Sequence, residues 1–173
     1  RAELAVATTS GKLFLISNGA VAPGFPITLE GGCASGPSFG DLDGDGKPEL
    51  LQGDKAGRVL ALEKSGKPVA GFPVKVGGVV TSSVSVGMLK GDLALAVGTE
   101  QGLTHVLDTH GKPLAGFPLV AHFAVAGAPA FGDLDDDGKP DLVVTSRDWN
   151  LYAADEDGQR LSGFPVVAGF AID

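Results

Sequence analysis

Apolar residues along this chain fall into runs of about four to six, each closed by Gly, Asp or Pro. Such runs are too short for a helix, and their turn-forming boundaries predict strands. The stretch 129–168 shows the plan in full. Residues 129–132 predict a short first strand, A; 141–145 a β-branched second, B; 151–154 a third, C; and 164–168 a fourth, D. Polar turns at 147–150 and 155–158 separate B from C and C from D. The B, C and D windows recur at 50–51, 58–62 and 72–76, at 93–97, 103–107 and 117–120, and at 4–7, 12–16 and 25–28.

The recurrence has a register. Gly-Phe-Pro occurs at Gly24, Gly71, Gly116 and Gly163, with spacings of 47, 45 and 47 residues. Gly-Lys-Pro precedes it at Gly66 and Gly111, and a relative at Gly158. Thirteen residues after Pro26, Pro73 and Pro118 come Phe39, Val86 and Phe131. Four strands in about 40–45 residues is the size of one propeller blade. The expected fold is therefore all-β: one β-propeller segment over 1–173, with four-stranded antiparallel blades at about 1–34, 35–81, 82–126 and 127–173. Glu3-Leu4 aligns with Glu49-Leu50, so the first repeat lacks strand A, while Asp173 aligns with Ala34 and Ala126, just ahead of a further strand A. The expectation is a piece of a longer propeller. The other reading is that two chains complete one larger ring, because a blade without its first strand leaves an edge that invites self-association.

Composition narrows the function classes. With 43% hydrophobic and 20% charged residues, 27 glycines and 11 prolines, the chain reads as a globular domain rich in tight turns. No apolar run reaches the roughly 18 residues of a membrane span. A net charge of −8 argues against nucleic acid and anionic membranes as partners. The start at Arg1, without a signal peptide, reads as a mature or excised segment. The single cysteine, Cys33, excludes an internal disulfide and reads as a small buried hydrophobe. No catalytic constellation stands out. His105, His110 and His122 are scattered, and Thr81-Ser82-Ser83 has no paired base nearby.

The chemistry lies in two acidic loops. Asp41, Asp43, Asp45 and Glu49 occupy positions 1, 3, 5 and 9 of one; Asp133, Asp135, Asp137 and Asp141 occupy the same positions of the other, each with glycine at position 6. Calcium takes about 6–8 oxygens in flexible geometry. Alternating carboxylates on a curled loop can converge on it, joined by the position-7 carbonyl of Lys47 or Lys139. Without a cation they would repel one another. An EF-hand shares the opening of the pattern but needs Glu at position 12 and flanking helices. Here position 12 is Gln52 or Val144, position 8 is proline, and the flanks are strand-like. Two calcium ions are the expected cofactors. In the third repeat the stretch is two residues shorter, with Met88 and Lys90 at the first two aspartate positions, so no site is expected there.

Phe-Gly followed by D-x-D-x-D-G-x-x-[DE], with Gly127-Ala128-Pro129 ahead of Phe131-Gly132, resembles the FG-GAP repeats of integrin α-subunit propellers and their bacterial VCBS-type relatives. The repeat register carries the likeness over the whole chain; the specific motif covers two of four repeats. The resemblance implies that the calcium loop joins strands A and B of a blade. It implies an extracellular or cell-surface location, and Gly-Phe-Pro points toward a secreted bacterial relative. It also implies a ligand face opposite the calcium loops, where Arg147, Asp148, Trp149 and Asn150 stand out in the last B–C turn. The expected function is a calcium-stabilised, non-enzymatic binding or adhesion module for a protein or glycan. The alternative is a propeller domain of a larger secreted enzyme such as a hydrolase or polysaccharide lyase.

Overall fold

The computed structural model describes residues 3–169, which form four antiparallel four-stranded sheets with no helix among them. The first sheet contains β1 (Glu3–Ala7), β2 (Lys12–Ser17), β3 (Ala20–Val21) and β4 (Ile27–Thr28). The second contains β5 (Ser38–Gly40), β6 (Glu49–Gly53), β7 (Arg58–Leu62) and β8 (Val74–Lys75). The third contains β9 (Ser85–Leu89), β10 (Asp92–Gly98), β11 (Leu103–Asp108) and β12 (Leu119–Val120); the fourth, β13 (Ala130–Gly132), β14 (Asp141–Thr145), β15 (Asn150–Ala154) and β16 (Val166–Val167). The last three sheets are meanders in sequence order, the A-B-C-D plan of a propeller blade. In a meander the A–B and C–D connections share one end and B–C the other.

The first sheet departs from that plan. It has no strand A among the described residues, and β1 is its edge. Its fourth strand is β3, which no apolar run announced. The first repeat's C–D turn is only Asn18-Gly19, so the chain folds straight back and pairs Ile16 with Val21 and Ser17 with Ala20. The D strands are also shorter than expected: only Val74–Lys75 of 72–76 and Val166–Val167 of 164–168 pair, since Phe and Pro of each Gly-Phe-Pro sit before the ladder, joined by a cis peptide in all four copies. Asp173 lies outside the described residues.

The core lies between sheets. Leu50, Leu60 and Leu62 pack with Leu13, Leu15 and Leu29 of the first sheet's segment. Their strand neighbours Leu51, Val59 and Ala61 pack with Leu95, Val97 and Leu107 of the third. The pattern repeats where Ala94, Ala96 and Val106 meet Leu142, Val144 and Tyr152. Successive side chains of a strand point to opposite faces, so a blade flanked on both sides buries both, and its strands read as continuous apolar runs rather than alternating ones. Phe72 is buried in this inter-blade core, with Phe25 and Phe117 half-buried in theirs. Cys33 is buried, free, and directs its thiol at the Thr8 carbonyl at 3.4 Å. The Ser82 hydroxyl, also buried, accepts from the Gly98 N–H at 2.8 Å and donates to the Ser83 carbonyl at 2.9 Å, which makes it part of the scaffold.

Candidate metal centres and the opposite turn

Both acidic loops join strand A to strand B: 41–48 connects β5 to β6, and 133–140 connects β13 to β14. Each begins where the A–B ladder ends, at the pairs Gly40–Glu49 and Gly132–Asp141. The position-9 carboxylate is thus the first residue of strand B and is buried at the loop's base. Glu49 Oε2 accepts the Leu42 N–H at 2.8 Å, and Asp141 Oδ2 accepts the Leu134 N–H at 2.8 Å. At position 1, Asp41 accepts the N–H groups of Gly44 and Gly46 (2.8 and 2.9 Å), and Asp133 those of Asp137 and Gly138 (3.2 and 2.9 Å). These bonds curl the loop so that positions 1, 3 and 9 converge. Asp41, Asp43 and Glu49 offer carboxylate oxygens within 4.8 Å of one another, as do Asp133, Asp135 and Asp141.

Position 5 lies outside both clusters. Asp45 Oδ2 pairs with the Lys47 ammonium at 2.7 Å, which holds its carboxyl below the ordinary range. Asp137 Oδ1 accepts the Lys139 N–H at 2.8 Å, while the Lys139 ammonium turns away to Glu156 at 2.7 Å. Exposed ion pairs of this kind are worth little, so drawing Asp45 inward costs little.

The electrostatics of the two clusters are those that a bound cation would relieve. Burial pushes the carboxyl groups of Glu49 and Asp141 above their ordinary values; the N–H groups of Leu42 and Leu134 offset part of this, and repulsion from the neighbouring aspartates adds to it. A buried carboxylate facing two others is unfavourable unless it takes up a proton or a positive charge sits among them. The donor set is all oxygen and partly exposed, which fits a hard divalent ion such as calcium. In the third sheet the loop has collapsed to Lys90-Gly91, a tight hairpin with Lys90 at φ 56°. Lys90 spans to Asp157 in the next blade at 2.7 Å, an ion pair in place of an ion site. Glu3, the position-9 equivalent in the first sheet, pairs with Lys64.

At the opposite end, the last B–C turn differs from its counterparts. Gly11, Gly57 and Gly102 hold the same place in the other sheets with φ of 84°, 79° and 79°; Trp149 stands there with φ 66°. The left-handed region costs a non-glycine residue about 1–2 kcal/mol. A Cβ on Gly57 would come within 2.5 Å of the Gly78 carbonyl oxygen, and one on Gly102 within 2.6 Å of the Ala121 and Phe123 oxygens, so those turns admit only glycine. The indole of Trp149 is 54% exposed and does not fill an inter-blade gap. Asp148 is committed elsewhere. It takes the Tyr152 hydroxyl at 2.5 Å and the Asn150 N–H at 3.1 Å. Burial raises its pKa, but bonds from Tyr152, Ser146 and Asn150 outweigh that and leave the carboxyl below its ordinary value. Tyr152 also lies under the Arg160 guanidinium, 5.3 Å from the ring centroid. The side chains left facing outward are Trp149 and Arg147, beside the exposed Phe123, whose carbonyl accepts the Ser146 hydroxyl at 3.1 Å.

No family model matches this chain, and no curated protein matches it in sequence. Solved structures do. The BBS1N chain in complex with ARL6DN superposes with a TM-score of 0.67 at 18% identity, over 92% of this chain and 50% of that one. BamB from Moraxella catarrhalis gives 0.64 at 19% identity, over 91% of this chain and 44% of BamB. The computationally designed Ika8 protein gives 0.65 at 15% identity, over 92% and 45%. The chain has a β-propeller fold. It spans about half the length of these three propellers.

Proposed function

We propose that this chain is a calcium-stabilised propeller segment of the FG-GAP or VCBS type that serves as a binding or adhesion module outside the cell. The observation that carries the reading is the convergence of three carboxylates within 4.8 Å in two loops built alike, at the same blade position. Calcium there would tie the A–B connection to the base of strand B and remove the repulsion around Glu49 and Asp141. Millimolar extracellular calcium would fill even weak sites of this kind.

The binding face in this reading is the end opposite the calcium loops, with Trp149 and Arg147 as contacts. An exposed aromatic held in a costly backbone conformation is better explained by recognition than by packing. Trp149 would stack on a sugar ring or enter an apolar pocket of a protein. BBS1N, a structural neighbour, is seen in complex with a protein, ARL6DN, which favours a protein ligand over a glycan. Asp148 and Asn150 hold the turn rather than touch the ligand.

Calcium calorimetry tests the metal half of the proposal: two equivalents in the parent and one after Asp133→Ala with Asp135→Ala. A variant that still takes up two equivalents would refute the assignment. Glycan-array and pull-down binding, compared between the parent and Trp149→Ala, tests the ligand half.

A further inference from the structure

We infer, resting on the binding face proposed above, that the partner is an acidic peptide segment of another protein. It would sit where the D–A loop of the third sheet meets the B–C turn of the fourth, with an apolar residue on Phe123 and carboxylates on Arg147 and Arg160. This joint is internal, and described residues stand on both sides of it.

The joint keeps the backbone of the two before it and changes the side chains. The N–H groups of Lys55, Glu100 and Arg147 donate to the carbonyls of Gly32, Val79 and Ala124 at 3.0, 2.9 and 2.9 Å. Beside this bond the first two loops place glycine. A Cβ on Gly31 would come within 3.2 Å of the Lys55 Cβ, and one on Gly78 would collide with the Gln101 side chain. Phe123 holds the same place in the third loop, and its ring is 64% exposed. Three residues earlier Val120 is 48% exposed, where the first two sheets carry Thr28 and Lys75. The third loop thus puts two apolar side chains in water where its counterparts put polar ones or none.

An arginine flanks this strip at each end. Arg147 is fixed by its own N–H at Ala124. Arg160 stands where the second and third sheets have Pro68 and Pro113, and its guanidinium donates to the Val120 carbonyl at 2.6 Å. Both side chains are exposed, and neither forms an ion pair among the described residues. At the first joint, by contrast, Arg58 is matched by Asp54 and Glu30. Asp148 does not match Arg147, because its oxygens accept the Tyr152 hydroxyl and the Asn150 N–H. In a chain of net charge −8, two unmatched guanidinium groups around apolar side chains select a partner of opposite charge. Guanidinium takes a carboxylate through two parallel bonds, and a phenyl ring takes an aliphatic or aromatic side chain. Four residues separate Val120 from Ala124, at most about 14 Å of backbone, so an extended partner would carry its two acidic residues about three to five positions apart with an apolar one between.

The test selects random peptides displayed on phage against the immobilised chain, then titrates a fluorescently labelled consensus peptide. Acidic residues bracketing a leucine or an aromatic should be enriched, and affinity should fall as salt is raised. Arg147→Gln, Arg160→Gln and Phe123→Gly should each weaken the peptide by about tenfold or more. Phe123→Gly restores the residue of the other two joints, so its urea midpoint should stay at the parent's. No enrichment, enrichment of basic or uncharged peptides, capture of anionic glycans in place of peptides, or acidic peptides indifferent to both arginines would overturn the inference. Trp149→Ala separates this site from the reading beneath it. A peptide released by Trp149→Ala but indifferent to Phe123→Gly and to both arginine variants would overturn the site and leave the binding face standing; one indifferent to all four would overturn both.

Discussion

Gly71 lies directly against the carbonyl oxygen of His110, so close that a Cβ on Gly71 would collide with it. The two residues belong to the two most regular signatures in the sequence, Gly-Phe-Pro in one repeat and the turn around Gly-Lys-Pro in the next. Their co-occurrence is the mark of a joint between blades.

That contact predicts a graded response to alanine. Gly71→Ala adds a backbone collision to left-handed strain, and overpacking of that kind costs about 1–3 kcal/mol beyond the strain itself. Gly163→Ala, at φ 89° with open space around it, carries only the strain of about 1–2 kcal/mol. Urea unfolding should rank parent, Gly163→Ala, then Gly71→Ala. Equal losses would mean that the glycines serve turn conformation alone.

The turn at Trp149 predicts a separation of stability from binding. Trp149→Gly relieves the left-handed strain and removes a side chain that is mostly in water, so the unfolding free energy should stay within about 1 kcal/mol of the parent. Ligand capture should be lost. A loss of about 3–5 kcal/mol, typical of a buried Trp, would return the residue to the core.

Asp148 and Tyr152 predict a titration at the acid end. The folded carboxyl of Asp148 titrates below its ordinary value, so its stabilisation is present above the unfolded pKa and is lost as pH falls through the folded one. Tyr152→Phe removes a hydrogen bond to a charged group, worth about 1.5–3 kcal/mol. The variant should be less stable near neutrality, and its difference from the parent should shrink in strong acid. A constant difference across that range would contradict the assignment.

Glu49 and Asp141 predict the opposite sign in metal-free protein. Their folded pKa values are raised, so the folded form holds protons that the unfolded chain has released. Their contribution is fullest below the ordinary carboxylate values and declines as pH rises through the raised ones. In EDTA the melting temperature should therefore gain from these two groups on mild acidification. The increment from added calcium, which requires ionised carboxylates, should shrink over the same window. A calcium increment independent of pH would contradict this.

The blade plan was legible because each strand is bounded by Gly, Asp or Pro and each joint repeats the same small residues. The convergence of positions 1, 3 and 9 in each acidic loop was legible because alternating aspartates around Gly46 and Gly138 can turn their carboxylates to one side of a curled loop. The strand Ala20–Val21 was not, since it exists only because Asn18-Gly19 shortens one turn, a tertiary consequence with no periodic signal. Nor was the place of Asp45 and Asp137, whose spacing matches the other ligands but whose side chains follow local backbone and lysine bonds. Asp148 read as a ligand contact by its position in the turn; only the fold brings the Tyr152 hydroxyl to it. Trp149 was conspicuous in sequence, and its alignment with three left-handed glycines became visible only in the backbone.

The central claim is that calcium holds the A–B loops of two blades in place. The most direct measurement is the melting temperature of the chain in EDTA and across a calcium titration, with magnesium as the control. Binding only to the folded form raises stability by about 2.7 kcal/mol at a hundredfold excess over the dissociation constant. The account predicts a lower melting temperature in EDTA, restored progressively by calcium and much less by magnesium. A melting curve unchanged from EDTA to saturating calcium would contradict it.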